Sequence, residues 1–229
     1  MFKKSFIAML AVFLVLFAAG CGNKGNNANT NKPAADKPEY SADKAILGYA
    51  ELYAFGFTEH LKETGLTQAD QDKYSEKVLK PLVEAFAEFP LSNDNAATML
   101  GEYVSLAEAA MRIKTEIVKD DPENPVVKLS ARNINQQAAS EMVSSNESLI
   151  ALGQMIGTWQ AQGYSVDDMK ANADFQKAAM EYLINFIKEI PINKESSIEI
   201  TCQKRKGEDG KLYWEPKSTT ELEEFVKIQ

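Results

Sequence analysis

Ser197–Glu215 reads Ser-Ile-Glu-Ile-Thr-Cys-Gln-Lys-Arg-Lys-Gly-Glu-Asp-Gly-Lys-Leu-Tyr-Trp-Glu. Its opening residues alternate, with Ile198, Ile200 and Cys202 on one side and Glu199, Thr201 and Gln203 on the other, the period of a half-buried strand. Gly207-Glu208-Asp209-Gly210 supplies turn residues, and Leu212-Tyr213-Trp214-Glu215 returns as the second strand of a hairpin. Beyond it, Ser218 with Glu221 three residues on fits a capping box for a short last helix carrying Leu222, Phe225 and Val226. A β-hairpin followed by a short helix is therefore expected here, whatever precedes it.

Upstream the period changes to that of helices. Ser165 with Asp168 three residues on opens a segment with Met169, Phe175, Ala179, Tyr182, Leu183, Phe186 and Ile187, broken at Pro191. Before it, Gln136 to Gln162 carries Met142, Leu149, Leu152, Met155, Ile156 and Trp159 and ends at Gly163. One strand interrupts the helical series. In Val126–Ile134, Val127, Leu129 and Ala131 alternate with polar residues, and the preceding run Lys119-Asp120-Asp121-Pro122-Glu123-Asn124-Pro125 ends any helix. A helical pattern from Asn93 or Asn95 holds Met99, Leu100, Tyr103, Leu106, Ala110 and Ile113 and extends to about Val118. Another starts at Thr67, with Asp70 in a capping box, and Pro81 inside it predicts a kink or a split. The first opens at Ser41, spaces Ala45, Ile46, Tyr49, Leu52, Tyr53 and Phe57, and closes at Thr64-Gly65. The expectation is one globular α+β domain over 41–229, rich in helix, with a small antiparallel C-terminal sheet. The alternative is a mostly α-helical bundle with a terminal β-hairpin.

The first forty residues belong to neither. Two lysines precede an apolar or small run from Phe6 to Gly20, too short for a comfortable membrane span and suited to a signal peptide. The run ends in Phe17-Ala18-Ala19-Gly20-Cys21-Gly22, which resembles the lipobox of bacterial lipoproteins, with Ala18 in place of the usual leucine. That resemblance implies removal of residues 1–20 and attachment of a diacylglycerol to the Cys21 thiol, with the new amino terminus as a second acylation point. Two or more acyl chains, palmitate among them, give stable attachment where one is marginal, at about 0.8 kcal/mol per buried methylene. It also implies a localisation: the cell envelope, anchored to the membrane with the domain outside the cytoplasm. Residues 21–40 then form the lipidated cysteine and a spacer. Gly22 to Glu39 contains no branched aliphatic or aromatic residue, so it cannot offset the entropy of ordering. As a coil it holds the domain roughly 20–25 Å from the lipid.

Composition narrows the chemistry. At 45% hydrophobic and 25% charged the 229-residue chain belongs with folded globular proteins. One histidine and two cysteines are too few for a His-rich zinc site, a zinc ribbon or a disulfide scaffold. A formal charge of -8 argues against nucleic acid as partner, and loss of Lys3 and Lys4 with the leader takes it to -10. Lipid, not charge, is the expected link to the membrane. No cofactor is expected beyond the covalent lipid.

The two ends of the domain carry a further resemblance. A long helix, an alternating strand, an acidic-Gly-Lys turn, a strand with Trp and a short terminal helix, matched over Ile198–Phe225, look like the close of bacterial lipoprotein domains with a nuclear-transport-factor-2-like (NTF2-like) cone. The spacer leading into the amphipathic helix Ser41–Leu61 is similar to its opening. More narrowly, the chain resembles the uncharacterised Gram-positive-type lipoproteins grouped as domain of unknown function 5105 (DUF5105). A cone implies a pocket between helices and curved sheet.

Few residues are candidates for chemistry. His60 is expected near the end of the first helix, capping its last carbonyls, and a lone imidazole excludes a His-based metal or triad site. Cys202 shares a face with Ile198 and Ile200 and reads as a small buried hydrophobe. Asp120, Asp121 and Glu123, and Asp167 with Asp168, lack calcium-loop spacing and read as loop and helix-start charges. Lys204-Arg205-Lys206 reads as a solubilising hairpin tip. Tyr49, Tyr53, Phe57, Trp159, Tyr213 and Trp214 are the candidate pocket aromatics, with core packing as their ordinary use. Catalytic and metal residues are not nominated. The functional expectation is a membrane-anchored, non-catalytic module binding a small apolar ligand or an envelope protein. The alternative is an enzyme that uses a cone pocket.

Overall fold

The computed structural model describes residues 37–226. The leader, Cys21 and the spacer up to residue 36 lie outside the described residues. Helix α1 (Ala42–Phe55) leads, followed by the single turn α2 (Leu61–Thr64), α3 (Gln68–Ala87) and α4 (Asn93–Met111). Strands β1 (Lys114–Lys119) and β2 (Val126–Ala131) come next, then α5 (Gln136–Val143), α6 (Glu147–Ala161), α7 (Val166–Ala171) and α8 (Ala173–Lys188). Strands β3 (Ser196–Lys206) and β4 (Leu212–Pro216) and helix α9 (Thr219–Val226) close the chain. The four strands form one open antiparallel sheet in the order β1-β2-β3-β4. The fold is α+β, as the hairpin stretch implies, and the sheet is larger than a terminal hairpin on a helical bundle.

Capping side chains set most helix starts. Thr67 accepts from the Asp70 amide while the Asp70 carboxylate accepts from the Thr67 amide at 3.0 Å. Ser165 and Asp168 repeat the device at α7. Ser218 accepts from the Glu221 amide at the start of α9, at 3.4 Å. Asn135, Asn146 and Asn172 cap α5, α6 and α8 through their side-chain oxygens.

Element boundaries differ from the sequence reading in several places. The first helix stops at Gly56, whose φ of 80° closes α1, so the stretch to Gly65 is a loop and one turn rather than a continuation. Pro81 neither ends nor splits α3, which runs on to Ala87 although Pro81 has no amide to give the preceding turn. The fourth helix stops at Met111 and not near Val118, because Arg112 takes the left-handed conformation (φ 49°, ψ 51°), and Lys114–Lys119 pairs with β2 as an edge strand. The long segments over 136–162 and 165–190 each divide at an asparagine cap, Asn146 and Asn172.

Helix α1 lies across the sheet and touches β1, β2 and β4 as well as α2, α3 and α9. Its Ala45, Ile46, Ala50 and Leu52 are wholly buried. Truncating Ile46 or Leu52 to alanine removes a side chain the site cannot refill, at about 2–5 kcal/mol. The alternation along β2 is real: Val127, Leu129 and Ala131 are all fully enclosed. A second layer is helical, with α8 packed on α4, α6 and α7. Gln176 pins that layer. Its buried amide accepts from the Ser92 amide and Asn95 and donates to the carbonyls of Pro90 and Met169, so each of its four contacts is satisfied. Gly65 lies flat against the Tyr213 ring, where a β-carbon would overlap it.

Candidate functional site: a groove at the foot of the spacer

The hairpin register explains the basic triplet. Lys204 is the cross-strand partner of Trp214, and Arg205 of Tyr213. The Lys204 ammonium lies 5.9 Å from the Trp214 ring centre and the Arg205 guanidinium 6.0 Å from that of Tyr213, one pair on each face of the hairpin. Lys204 also pairs with Glu123 of the β1–β2 loop at 2.9 Å, with only 16% of its side chain exposed. Arg205 donates to the Thr64 carbonyl at 2.8 Å and sits 3.2 Å from Glu215, an ion pair without hydrogen-bond alignment at Nε. Two of the three basic residues are thus turned inward against partners instead of solubilising the tip, and only Lys206 is exposed.

The six pocket aromatics do not converge. Tyr49 is buried between α1 and the hairpin, and burial pushes its phenol up to about 12 against the opposing pull of Arg205. Tyr53 packs edge-on against Tyr74 at 5.2 Å, and burial followed by the Tyr74 hydroxyl raises its phenol. Phe57 lies beside Phe55. Trp159 is in the helical layer against Tyr164 and Phe175, at 4.7 and 5.2 Å. Tyr213 donates to Asp209 at 2.7 Å and stacks on Tyr40 at 6.4 Å. Tyr49 and Tyr213 are buried, and Tyr53, Phe57 and Trp159 are half-buried against the core, in separate places. Of the six, Trp214 alone lines the groove.

That groove has a volume of about 580 Å³. One wall is the stretch entering α1, from Lys37 to Ala42; the other is the β1–β2 loop, Asp120 to Pro125, with Ile117. Lys204 and Trp214 form the floor between them. The first wall is held in place. Pro38 is buried, Glu39 pairs with Lys211 at 2.8 Å, and Tyr40 lies on Tyr213. The last residues read as spacer, 37–40, are therefore packed on the hairpin. The Lys211 ammonium is held above its ordinary range by Glu39. The loop wall is fixed by Asp121, which accepts from the Glu123 and Asn124 amides at 2.9 Å and pairs with Lys119 at 3.2 Å. Those amide bonds, more than Lys119, pull its carboxyl down to about 2.

No periodicity in the sequence marks this groove, because its walls are built from spacer and loop residues. The signal available was Tyr40, the lone aromatic at the end of an otherwise aromatic-free stretch.

The remaining candidates stand elsewhere. His60 is not at a helix end but just before α2, with Nδ1 3.6 Å from Glu63, and so faces that turn's amino terminus and not α1's last carbonyls. Cys202 is fully enclosed and burial pushes its thiol up to about 12. Asp167 and Asp168 open α7, where Ser165 holds the Asp168 carboxyl below its usual range. Among the described residues no cluster of three or more His, Cys, Asp or Glu is placed to hold a metal, and no helix is long and apolar enough to cross a membrane. Cys21, the lipidation candidate, lies outside the described residues.

Compared with known proteins, the chain matches no family model, no curated protein and no solved structure.

Proposed function

We propose that this chain is an extracytoplasmic lipoprotein, held to the membrane by lipid on Cys21, whose domain is a non-catalytic binding module working through the groove beside the spacer. The observation that carries the anchor is the run Phe6–Gly20 ending in Ala18-Ala19-Gly20-Cys21 and followed at once by a Gly/Asn/Lys-rich spacer. The groove supports the binding role by position and make-up. It opens where the spacer joins the domain, its size is that of a small-ligand site, and its walls mix aromatic, proline and charged residues.

The anchor is tested by expressing the chain in a bacterium fed a radiolabelled or clickable fatty acid. Label should enter the wild-type protein and be absent from Cys21→Ala. Label persisting in Cys21→Ala refutes the anchor.

A further inference from the structure

We propose that helix α6 is the contact between two copies of this chain, which pair about a two-fold axis through its outward side. The contact is separate from the groove and from the lipid anchor. Residues 148–166 contain no charged residue, the longest such run beyond residue 20 of a chain that is 25% charged. They make up nearly all of α6 and the turn into α7. Leu149, Leu152 and Ile156 bury one side of α6, and among the described elements only α8 packs along it. The other side, Ile150, Gln154, Gly157, Thr158 and Ala161, is exposed at spacings of three and four. A surface helix ordinarily carries charge there. Ile150, with Tyr164 and Val166 just past the helix, makes three of the six large hydrophobic residues most exposed among the described residues.

Charge selects a second copy as the occupant. Two molecules of formal charge -8 repel wherever their carboxylates face each other, and the outer side of α6 is where they can meet without that cost. A two-fold contact sets each residue near the axis against itself. Gln154, at the middle of the exposed side, offers an amide donor and an acceptor to the same amide of the second copy. Gly157 lets the backbones approach. A β-carbon there would meet nothing within 4 Å, so one copy alone has no use for a residue that weakens a helix relative to alanine. Beside a second helix the missing side chain lets the two axes come close. Gly101 in α4 has the same open space, but exposed Asp94, Glu102 and Glu108 surround it on that helix and keep a second copy away. One helix face buries less than the roughly 1,200–2,000 Å² of a stable interface, so the dimer is weak, with a dissociation constant of about 10–100 μM.

The test is sedimentation equilibrium of the full chain as a bacterial host produces it, in density-matched neutral detergent with micelles in excess. The wild type should show a reversible monomer–dimer equilibrium. Ile150→Glu and Gly157→Glu should each weaken it about tenfold or more, whereas Gly101→Glu, the same charge at the other open helical glycine, should change it less than about twofold. An equimolar mixture of Gln154→Glu and Gln154→Lys should associate more tightly than either variant alone, because the axis sets residue 154 against itself. Unchanged far-ultraviolet dichroism establishes that each variant is folded. A chain that stays monomeric up to about 1 mM, far above the expected constant, overturns the proposal. So does association that all three single glutamates weaken alike, or a mixture no tighter than its components. Fatty-acid labelling of Cys21 is independent of every one of these outcomes.

Discussion

Arg205 ties three elements together with one side chain. It reaches the carbonyl that ends α2, pairs with Glu215 and covers the Tyr213 ring, while Gln203 holds the other Glu215 oxygen at 2.9 Å. Its removal strands the Thr64 carbonyl and a three-quarters-buried carboxylate, so Arg205→Ala should cost about 2–3 kcal/mol in denaturant unfolding. Arg205→Lys should recover less than half of that, because a single ammonium cannot serve a carbonyl and a carboxylate held apart by a guanidinium fork. A loss below about 0.5 kcal/mol in the alanine variant would show that the cluster is mere surface. Cys202 gives a second expectation. Enclosed, with its thiol pushed up to about 12, it should not react with a water-soluble disulfide reagent at pH 8 until the chain is unfolded. Labelling at the rate of a free thiol would contradict its placement. The enclosed Cys202 was legible from strand alternation alone. The inward turn of Lys204 and Arg205 was not, since it depends on counting register back across the turn to Trp214 and Tyr213.

Elements are set by caps as much as by hydrophobic period. The Asp70 carboxyl lies below its ordinary value of 3.8, chiefly because the Thr67 amide and hydroxyl bond its charged form. A carboxyl with a depressed folded-state value contributes stability that is complete above 3.8 and disappears as pH falls through the lower folded-state value. Asp70→Asn should therefore unfold at a lower temperature than wild type at pH 7, and the two melting curves should converge as pH falls below 3.8 and through the lower folded-state value. A gap independent of pH would mean that the carboxylate's charge is not what closes the cap. The same reasoning explains what the sequence disclosed. Thr67–Asp70 and Ser165–Asp168 announced their helices because both halves of each box are in the sequence. Strand β1 stayed hidden because Ile113 extends the helical spacing of Leu106 and Ala110, and the turn that breaks it falls on Arg112, a residue with no special liking for the left-handed region. Asn146 and Asn172 were readable as caps in principle, but the apolar period runs through both.

On the scale of the molecule, a helical layer and an open sheet share one core, and the chain enters that core at the foot of the spacer. The sequence-based expectation gathered six aromatics around one pocket, with core packing as their ordinary use, and five of the six lie outside the groove. The concave surface instead lies where the spacer's last residues, Glu39 and Tyr40, are clamped by Lys211 and Tyr213. That position requires no aromatic periodicity and so leaves no period to read. The proposed binding role and the proposed anchor would then be linked, since the segment that forms one wall is the one that leads back in sequence to Cys21. The central claim is accordingly the anchor, and its most direct measurement is the mass of the amino-terminal peptide of the protein recovered from the membranes of a bacterial host. A peptide beginning at Cys21 and carrying a diacylglycerol on its thiol is the expected result. A chain that begins elsewhere, or begins at Cys21 with a free thiol, would contradict the account.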